Sequence, residues 1–275
     1  MGTKDHPAAF ASPSGATLQL WCAHPADLRN ESVARACAAV LSDHERKKAS
    51  RYVFDRHRHE YIAAQVLARN ALSHHRTLPP EAWQFRRGPH GKPAPEPDCG
   101  LHFNLSTCEG LVVCLVARGT EVGVDTEPLA RGETIVGLKE EIFTPAERRQ
   151  LDELDGAARP DRAVSMWVLK EAYTKARGLG LTMPLMGFSF LFGGDDGIRL
   201  ETELKVDENP SSWRFCLVDY AGHRVAAVAA AAPAVPGNAE CRMGNLSLEV
   251  LLAQPPLDEP RRIDLPREQW YPRVR

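Results

Sequence analysis

The sequence predicts an α+β protein of two similarly sized lobes that meet near residue 120. Three observations predict it. Helical and extended patterns occur in both halves, in the order β, α, β and then β, α, β again. A capping-box pattern opens a helix in each half, Ser42 with Glu45 and Thr144 with Glu147. A stretch rich in proline and glycine between Leu78 and Gly100 forbids a long helix there. The chain divides accordingly into a flexible N-terminus (1–16), an N-terminal lobe (17–120), a C-terminal lobe (121–232) and a proline-rich tail (233–275), draped over the body or loose.

Taken in order, Leu18, Leu20 and Cys22 alternate with Gln19 and Trp21, the period of a half-buried strand. A helix follows over Asn30 to Val40. The helix capped by Ser42 carries Arg46, Lys47, Lys48 and Arg51 and is strongly basic. From Arg58 to His75, Tyr61, Ile62, Val66, Leu67, Ala71 and Leu72 recur at helical spacing. Leu101, Phe103 and Leu105 mark a strand, and Leu111 to Ala117 is a continuous apolar run suited to a central strand covered on both faces. Glu109-Gly110 joins them as a hairpin. Val122 to Glu127 is a short strand ended by Pro128. A helix opens at Pro145 behind Thr144, and another runs from Asp161 to Arg177 until Gly178 stops it. Strands follow at 188–192, 198–206, 213–218 and 224–229.

Composition narrows the function classes. At 43% hydrophobic and 25% charged the 275 residues match an ordinary globular protein. A net charge of -2 supplies no global field toward nucleic acid or anionic lipid, so any basic site is local. No apolar run approaches a membrane span. The first fifteen residues hold no apolar block of a secretory signal, which predicts a cytoplasmic protein. Seven cysteines without a C-x-x-C pair argue against a disulfide framework and a zinc ribbon, and read as mostly buried thiols. His57, His59, His74 and His75 read as solvated.

Three constellations carry chemistry. In Gly123-Val124-Asp125-Thr126-Glu127, Asp125 and Glu127 share one strand face about 7 Å apart. They are either two solvated acids or a pair joined by a hard divalent cation such as Mg²⁺. In Trp167-Val168-Leu169-Lys170-Glu171-Ala172-Tyr173-Thr174-Lys175, Glu171 and Lys175 share a helix face, with Trp167 one turn earlier. They form either a surface ion pair or a third carboxylate beside a phosphate-holding cation. The third is basic and glycine-marked, Arg86 to Pro93, followed by Phe103-Asn104-Leu105-Ser106-Thr107, whose hydroxyls can meet phosphate oxygens. With the basic helix, cations gather in the N-terminal half and acids in the C-terminal half. That division suits a polyanion held between lobes.

GVDTE at Gly123, FTPAE at Phe143 and WVLKEAYTK at Trp167 resemble, in order and spacing, the signature of the Sfp-type 4′-phosphopantetheinyl transferases. GKP at Gly91, FNLS at Phe103 and GLGLTMPL at Gly178 match further family motifs. The resemblance spans roughly residues 18 to 230 and implies a pseudo-twofold pair of lobes with coenzyme A and Mg²⁺ between them. The N-terminal lobe would then be the basic, coenzyme-binding side and the C-terminal lobe would carry the metal. The implied reaction moves the phosphopantetheine arm of coenzyme A to a serine of an apo acyl or peptidyl carrier protein, releasing 3′,5′-ADP. Carried over by motif, Asp125, Glu127 and Glu171 ligate Mg²⁺, and Lys175 contacts phosphate and assists proton transfer. Glu171 is the first candidate base. Lys92, Ser106 and Thr107 contact the coenzyme, and Lys48 and Arg51 hold its 3′-phosphate. Thr107 stands where the family often has His. The expected state is a monomer with no nucleic-acid or membrane partner. Two other classes compete: an Mg²⁺-dependent phosphohydrolase acting on a nucleotide pyrophosphate, and a non-catalytic protein that binds coenzyme A or a carrier.

Overall fold

The computed structural model describes residues 18–193, 197–202, 210–230, 241–245, 262–264 and 270–271. The first half runs β1 (Leu18–Ala23), α1 (Glu31–Val40), α2 (Asp43–Ala49), α3 (Asp55–Ser73), β2 (Gln84–Arg87), β3 (Pro93–Glu96), β4 (Leu101–Cys108) and β5 (Leu111–Arg118). The second runs β6 (Val122–Pro128), α4 (Gly132–Gly137), α5 (Lys139–Ile142), α6 (Pro145–Asp152), α7 (Ala158–Arg177), β7 (Phe188–Gly193), β8 (Gly197–Thr202), β9 (Trp213–Tyr220) and β10 (His223–Ala230). Each half is thus a strand, short helices, one long helix, a small hairpin and a large hairpin. Three short strands come from the C-terminal tail: β11 (Cys241–Asn245), β12 (Arg262–Asp264) and β13 (Trp270–Tyr271).

Two large sheets form among the described residues, in the orders β12-β11-β1-β5-β4 and β13-β9-β10-β6, beside the two-stranded β2-β3 and β7-β8. The apolar run of β5 explains the layering. Val112, Cys114 and Val116 pack with Ala63, Val66 and Leu67 of α3. Leu111, Val113, Leu115 and Ala117 turn to the other face and meet Val122, Val124, Val225 and Ala227 of the second sheet. A strand covered on both faces has no reason to alternate, and this one does not. On the far side of the second sheet α7 packs through Val168, Ala172 and Ala176 with Ala226 and Val228. The order of layers is helix, sheet, sheet, helix, and the mixed α+β architecture stands.

The halves repeat one buried device. Ser42 and Thr144 cap α2 and α6 as capping boxes. In each box the Glu also takes a cation from its lobe's long helix: Arg69 donates to Glu45 at 2.7 Å, and Lys170 donates to Glu147 at 2.7 Å. Each cation then reaches the chain that follows its helix, Arg69 to the Trp83 carbonyl and Lys170 to the Phe188 carbonyl, both at 2.6 Å. Glu147 and Lys170 are fully buried, which is tolerable only because both ends are hydrogen-bonded as well as paired. The repeat lies in sidechain roles, with few residue identities shared, and is inconspicuous in the sequence.

Several expectations need correction. α3 and α7 each begin three residues before their predicted starts, and the short α4 and α5 were not foreseen. Their apolar residues, such as Ile135, face α7 without a full amphipathic period. The described tail segments do not lie loosely over the body. β11 pairs parallel with β1, and β13 pairs antiparallel with β9, so the tail extends both sheets. Residues 1–16 and 203–206 lie outside the described residues. His74 is exposed as expected, its ring tilted against Trp21 with centroids 4.5 Å apart. His75 is not solvated: it is half-buried, and burial pushes its imidazole down to about 4, which keeps it neutral.

Candidate active site

β6 is both an edge of the second sheet and the strand on which the long helix rests. Gly123 makes that contact possible. A Cβ there would lie 1.9 Å from the Ala172 carbonyl oxygen and 2.5 Å from the Ala176 nitrogen, so only hydrogen can separate strand from helix. The close approach brings Asp125 of β6 against Lys175 of α7. Lys175 Nζ donates to Asp125 Oδ1 at 2.6 Å and to Ser106 Oγ at 2.9 Å, and Ser106 Oγ donates to the same Asp125 oxygen at 2.7 Å. β4 is fastened to β6 by the Asn104 side chain, which accepts from the Val124 nitrogen at 2.9 Å. The Asn and Ser of the FNLS segment therefore both bind the strand that carries the acids.

Glu127, two residues on, is held by different groups. Arg131 Nη1 donates to its two oxygens at 2.8 and 3.0 Å, and Trp167 Nε1 donates to Oε1 at 3.3 Å. Glu171, on the same helix as Trp167 and Lys175, is half-buried. Burial pushes its carboxyl above the usual carboxylate range, the negative charges of Asp125 and Glu127 push the same way, and Lys175 opposes them. All three acids therefore lie within one another's field.

An open cavity of about 830 Å³ spans the two halves of the molecule. Lys48, Tyr61, Arg87, Ser106 and Thr107 line it from the first half, and Asp125, Glu127 and Lys175 from the second. Lys48 lies over the Tyr61 ring, 4.9 Å from its centroid. The cavity thus brings the cations Lys48 and Arg87 and the acids Asp125 and Glu127 to one space. Arg51 and Glu171 are not among its lining residues.

Lys92 departs from expectation. Its ammonium is turned away from the cavity, donating to the carbonyls of Val122 at 3.1 Å and Ala176 at 2.7 Å, and burial lowers its pKa. The carbonyls at the end of a helix attract a cation, and Lys92 caps α7 there while tying the β2–β3 hairpin to β6. A phosphate contact by its side chain does not match this geometry. The ligand cluster expected of Asp125, Glu127 and Glu171 is likewise not closed: among the described residues no three His, Cys, Asp or Glu side chains are arranged to hold a metal ion. Two of the carboxylates are instead turned to internal cations. The donor set still fits a hard divalent ion, being all carboxylate oxygen.

Sequence reasoning missed Arg131 and the polar role of Trp167, whose position on α7 suggested only a core anchor. The four-residue spacing of Glu127 and Arg131 is a contact signal on a helix, whereas this stretch read as a strand ended by proline. Cys108 is half-buried, and burial pushes its thiol up to about 12, which disfavours the thiolate at neutral pH.

Comparison with known proteins decides the family. Residues 29–119 match the family model for the N-terminal part of 4'-phosphopantetheinyl transferases, and residues 121–229 match that of the 4'-phosphopantetheinyl transferase superfamily. The chain belongs to this family. It is an enzyme of the transferase class. Among curated relatives, 4'-phosphopantetheinyl transferase HetI of Nostoc sp. is 31% identical over 154 residues, 55% of this chain and 65% of that protein. The 4'-phosphopantetheinyl transferase Sfp of Bacillus subtilis is 27% identical over 166 residues, 59% of this chain and 71% of its own. The chain therefore spans about two thirds of the length of these relatives. A solved holo-(acyl-carrier-protein) synthase from Bacillus anthracis, in complex with CoA (3',5'-ADP), covers 40% of this chain and 94% of its own at 22% identity, with a TM-score of 0.34. That likeness adds nothing to the assignment. None of the described helices is long and apolar enough to cross a membrane.

The site makes one stability prediction. A carboxyl whose folded pKa is raised contributes stability fully below its unfolded value of 4.5 and loses it as pH rises through the folded value. At neutral pH Glu171 is therefore a destabilising group, and Glu171→Gln is expected to melt at a higher temperature than wild type. Below about pH 4 both are neutral and the melting curves should converge. Equal melting temperatures at neutral pH would contradict the raised pKa.

Proposed function

We propose that the chain transfers the 4′-phosphopantetheine arm of coenzyme A to a serine of an apo acyl or peptidyl carrier protein, with Mg²⁺ held by Asp125, Glu127 and Glu171. The observation that carries this reading is the cavity with Lys48 and Arg87 on one wall and Asp125, Glu127 and Lys175 on the other. Such a cleft accepts a polyanion at one wall and manages its reacting phosphate at the other. Bound Mg²⁺ would neutralise charge on the pyrophosphate oxygens.

The chain's own residues account for the remaining steps. Lys48 attracts the 3′-phosphate, while Thr107 and Lys175 donate to phosphate oxygens. The carrier serine Oγ attacks the phosphorus that bears the pantetheine arm, the bond to the neighbouring bridging oxygen breaks, and 3′,5′-ADP departs. Glu171, its carboxyl raised above the ordinary range by burial and so more basic than an ordinary carboxylate, takes the serine proton. Lys175, fixed between Ser106 and Asp125, orients the phosphate and supports that transfer. The protein acts in the cytoplasm as a monomer.

Incubation with an apo carrier protein, coenzyme A and Mg²⁺ tests the reading. The expected result is a carrier heavier by one phosphopantetheine arm in the mass spectrum, with 3′,5′-ADP released in equal amount. Cleavage of coenzyme A without a carrier adduct would favour a phosphohydrolase instead, and neither product would leave a binding protein.

A further inference from the structure

We propose that Arg131 is an internal substitute for the metal ion, pairing with Glu127 while the site is empty and releasing it when a divalent cation enters. It thereby sets the cation concentration that the site requires. This depends on the assignment of Asp125, Glu127 and Glu171 to a divalent cation made above.

Two carboxylates of that set already have cations of the protein beside them, and the two pairs differ in kind. Lys175 with Asp125 is largely enclosed, at 27% and 8% side-chain exposure, and Ser106 binds both partners. That pair belongs to the framework of the site. Arg131 with Glu127 is different: the guanidinium is 50% exposed while the carboxylate is 13% exposed, so the acid is fixed and the base is free to swing into solvent. Arg131 ends a one-turn 3-10 segment, Leu129–Arg131, directly after Pro128 of β6. An exposed ion pair of this type contributes at most about 1 kcal/mol, so exchanging it for a metal contact is inexpensive.

The two donors on Glu127 have separate consequences. Trp167 Nε1 is neutral and occupies one lone pair of Oε1, which leaves the carboxylate free to bind a cation elsewhere. Its effect is to aim the group. Arg131 spans both oxygens and carries a full positive charge, so it cannot share them with a second cation without repulsion. Arg131 thus holds the Glu127 oxygens that a divalent cation would need. Swinging it away would free both Glu127 oxygens on the strand that also carries Asp125.

The test uses the full-length chain with Mn²⁺ as the probe, followed by electron paramagnetic resonance and calorimetry at low salt with coenzyme A present. Arg131→Gln is expected to bind Mn²⁺ about fivefold more tightly than wild type, the upper worth of an exposed pair. Arg131→Lys, which keeps the charge, should stay close to wild type. The Mg²⁺ concentration giving half-maximal transfer should fall in Arg131→Gln by the same factor. Raising the salt should narrow the difference, because an exposed charge is screened. Mn²⁺ affinity that is unchanged or weaker in Arg131→Gln overturns the proposal alone. A wild-type chain that binds no Mn²⁺ overturns the metal assignment as well.

Discussion

Asp125→Asn is expected to reduce arm transfer by at least about 1000-fold while the chain remains folded, since the loss of a charged group acting on a reacting phosphate costs several kcal/mol at about 1.4 kcal/mol per decade. Asp125 is almost fully buried, accepts from Lys175 and Ser106 through one oxygen, and lies two residues from Glu127 on the same strand. The amide keeps the shape and can still accept from Ser106. It removes the negative charge that fixes Lys175 and that would attract a divalent ion. The measurement is the rate of carrier mass gain, beside circular dichroism to show that the fold is kept. A folded Asp125→Asn with near-wild-type, Mg²⁺-dependent transfer would remove Asp125 from the metal site and return the motif to a structural role.

Gly123→Ala should be more disruptive than any exchange of a charged group at the rim. The added methyl would overlap the backbone of α7 at Ala172 and Ala176, and backbone atoms cannot rotate away as a side-chain tip can. The helix and strand must separate or tilt. Overpacking of a core costs about 1–3 kcal/mol where side chains can yield, and this contact falls above that range. A drop of about 10 °C in melting temperature follows for a chain of this size. Transfer should fall with it, because the separation that relieves the clash also draws Lys175 and Glu171 from Asp125. A thermal melt together with the carrier assay reads both effects. A Gly123→Ala chain as stable as wild type would show that β6 and α7 do not touch as described.

Much of the candidate site is legible in the sequence because its spacings are local. Asp125 and Glu127 are two apart on a strand, and Glu171 and Lys175 are four apart on a helix, so each pair shares a face whatever else the chain does. The glycine of the same motif is explained only by the packing, since nothing near residue 123 announces a helix some fifty positions later pressing on it. Ser106 was expected to meet a phosphate, and in the structure it joins Asp125 to Lys175. Lys92 was expected in the cavity, and the unpaired carbonyls at the end of α7 claim its ammonium instead. In each case the residue type was right for polar chemistry while the partner was supplied by a distant segment.

The sequence by itself determined the elements: two capping boxes, the central run of β5, the glycine stop at Gly178 and the order of strands and helices in each half. These depend on backbone hydrogen bonding and side-chain period within a few residues, and such signals survive in a linear string. The tertiary structure alone decided which cation faces which acid: Arg69 with Glu45, Lys170 with Glu147, Lys175 with Asp125 and Arg131 with Glu127. Coulomb attraction and desolvation depend on distance and burial, and three of those four pairings join residues at least 23 positions apart. The fourth is near in sequence, but only the turn after Pro128 brings its ends together.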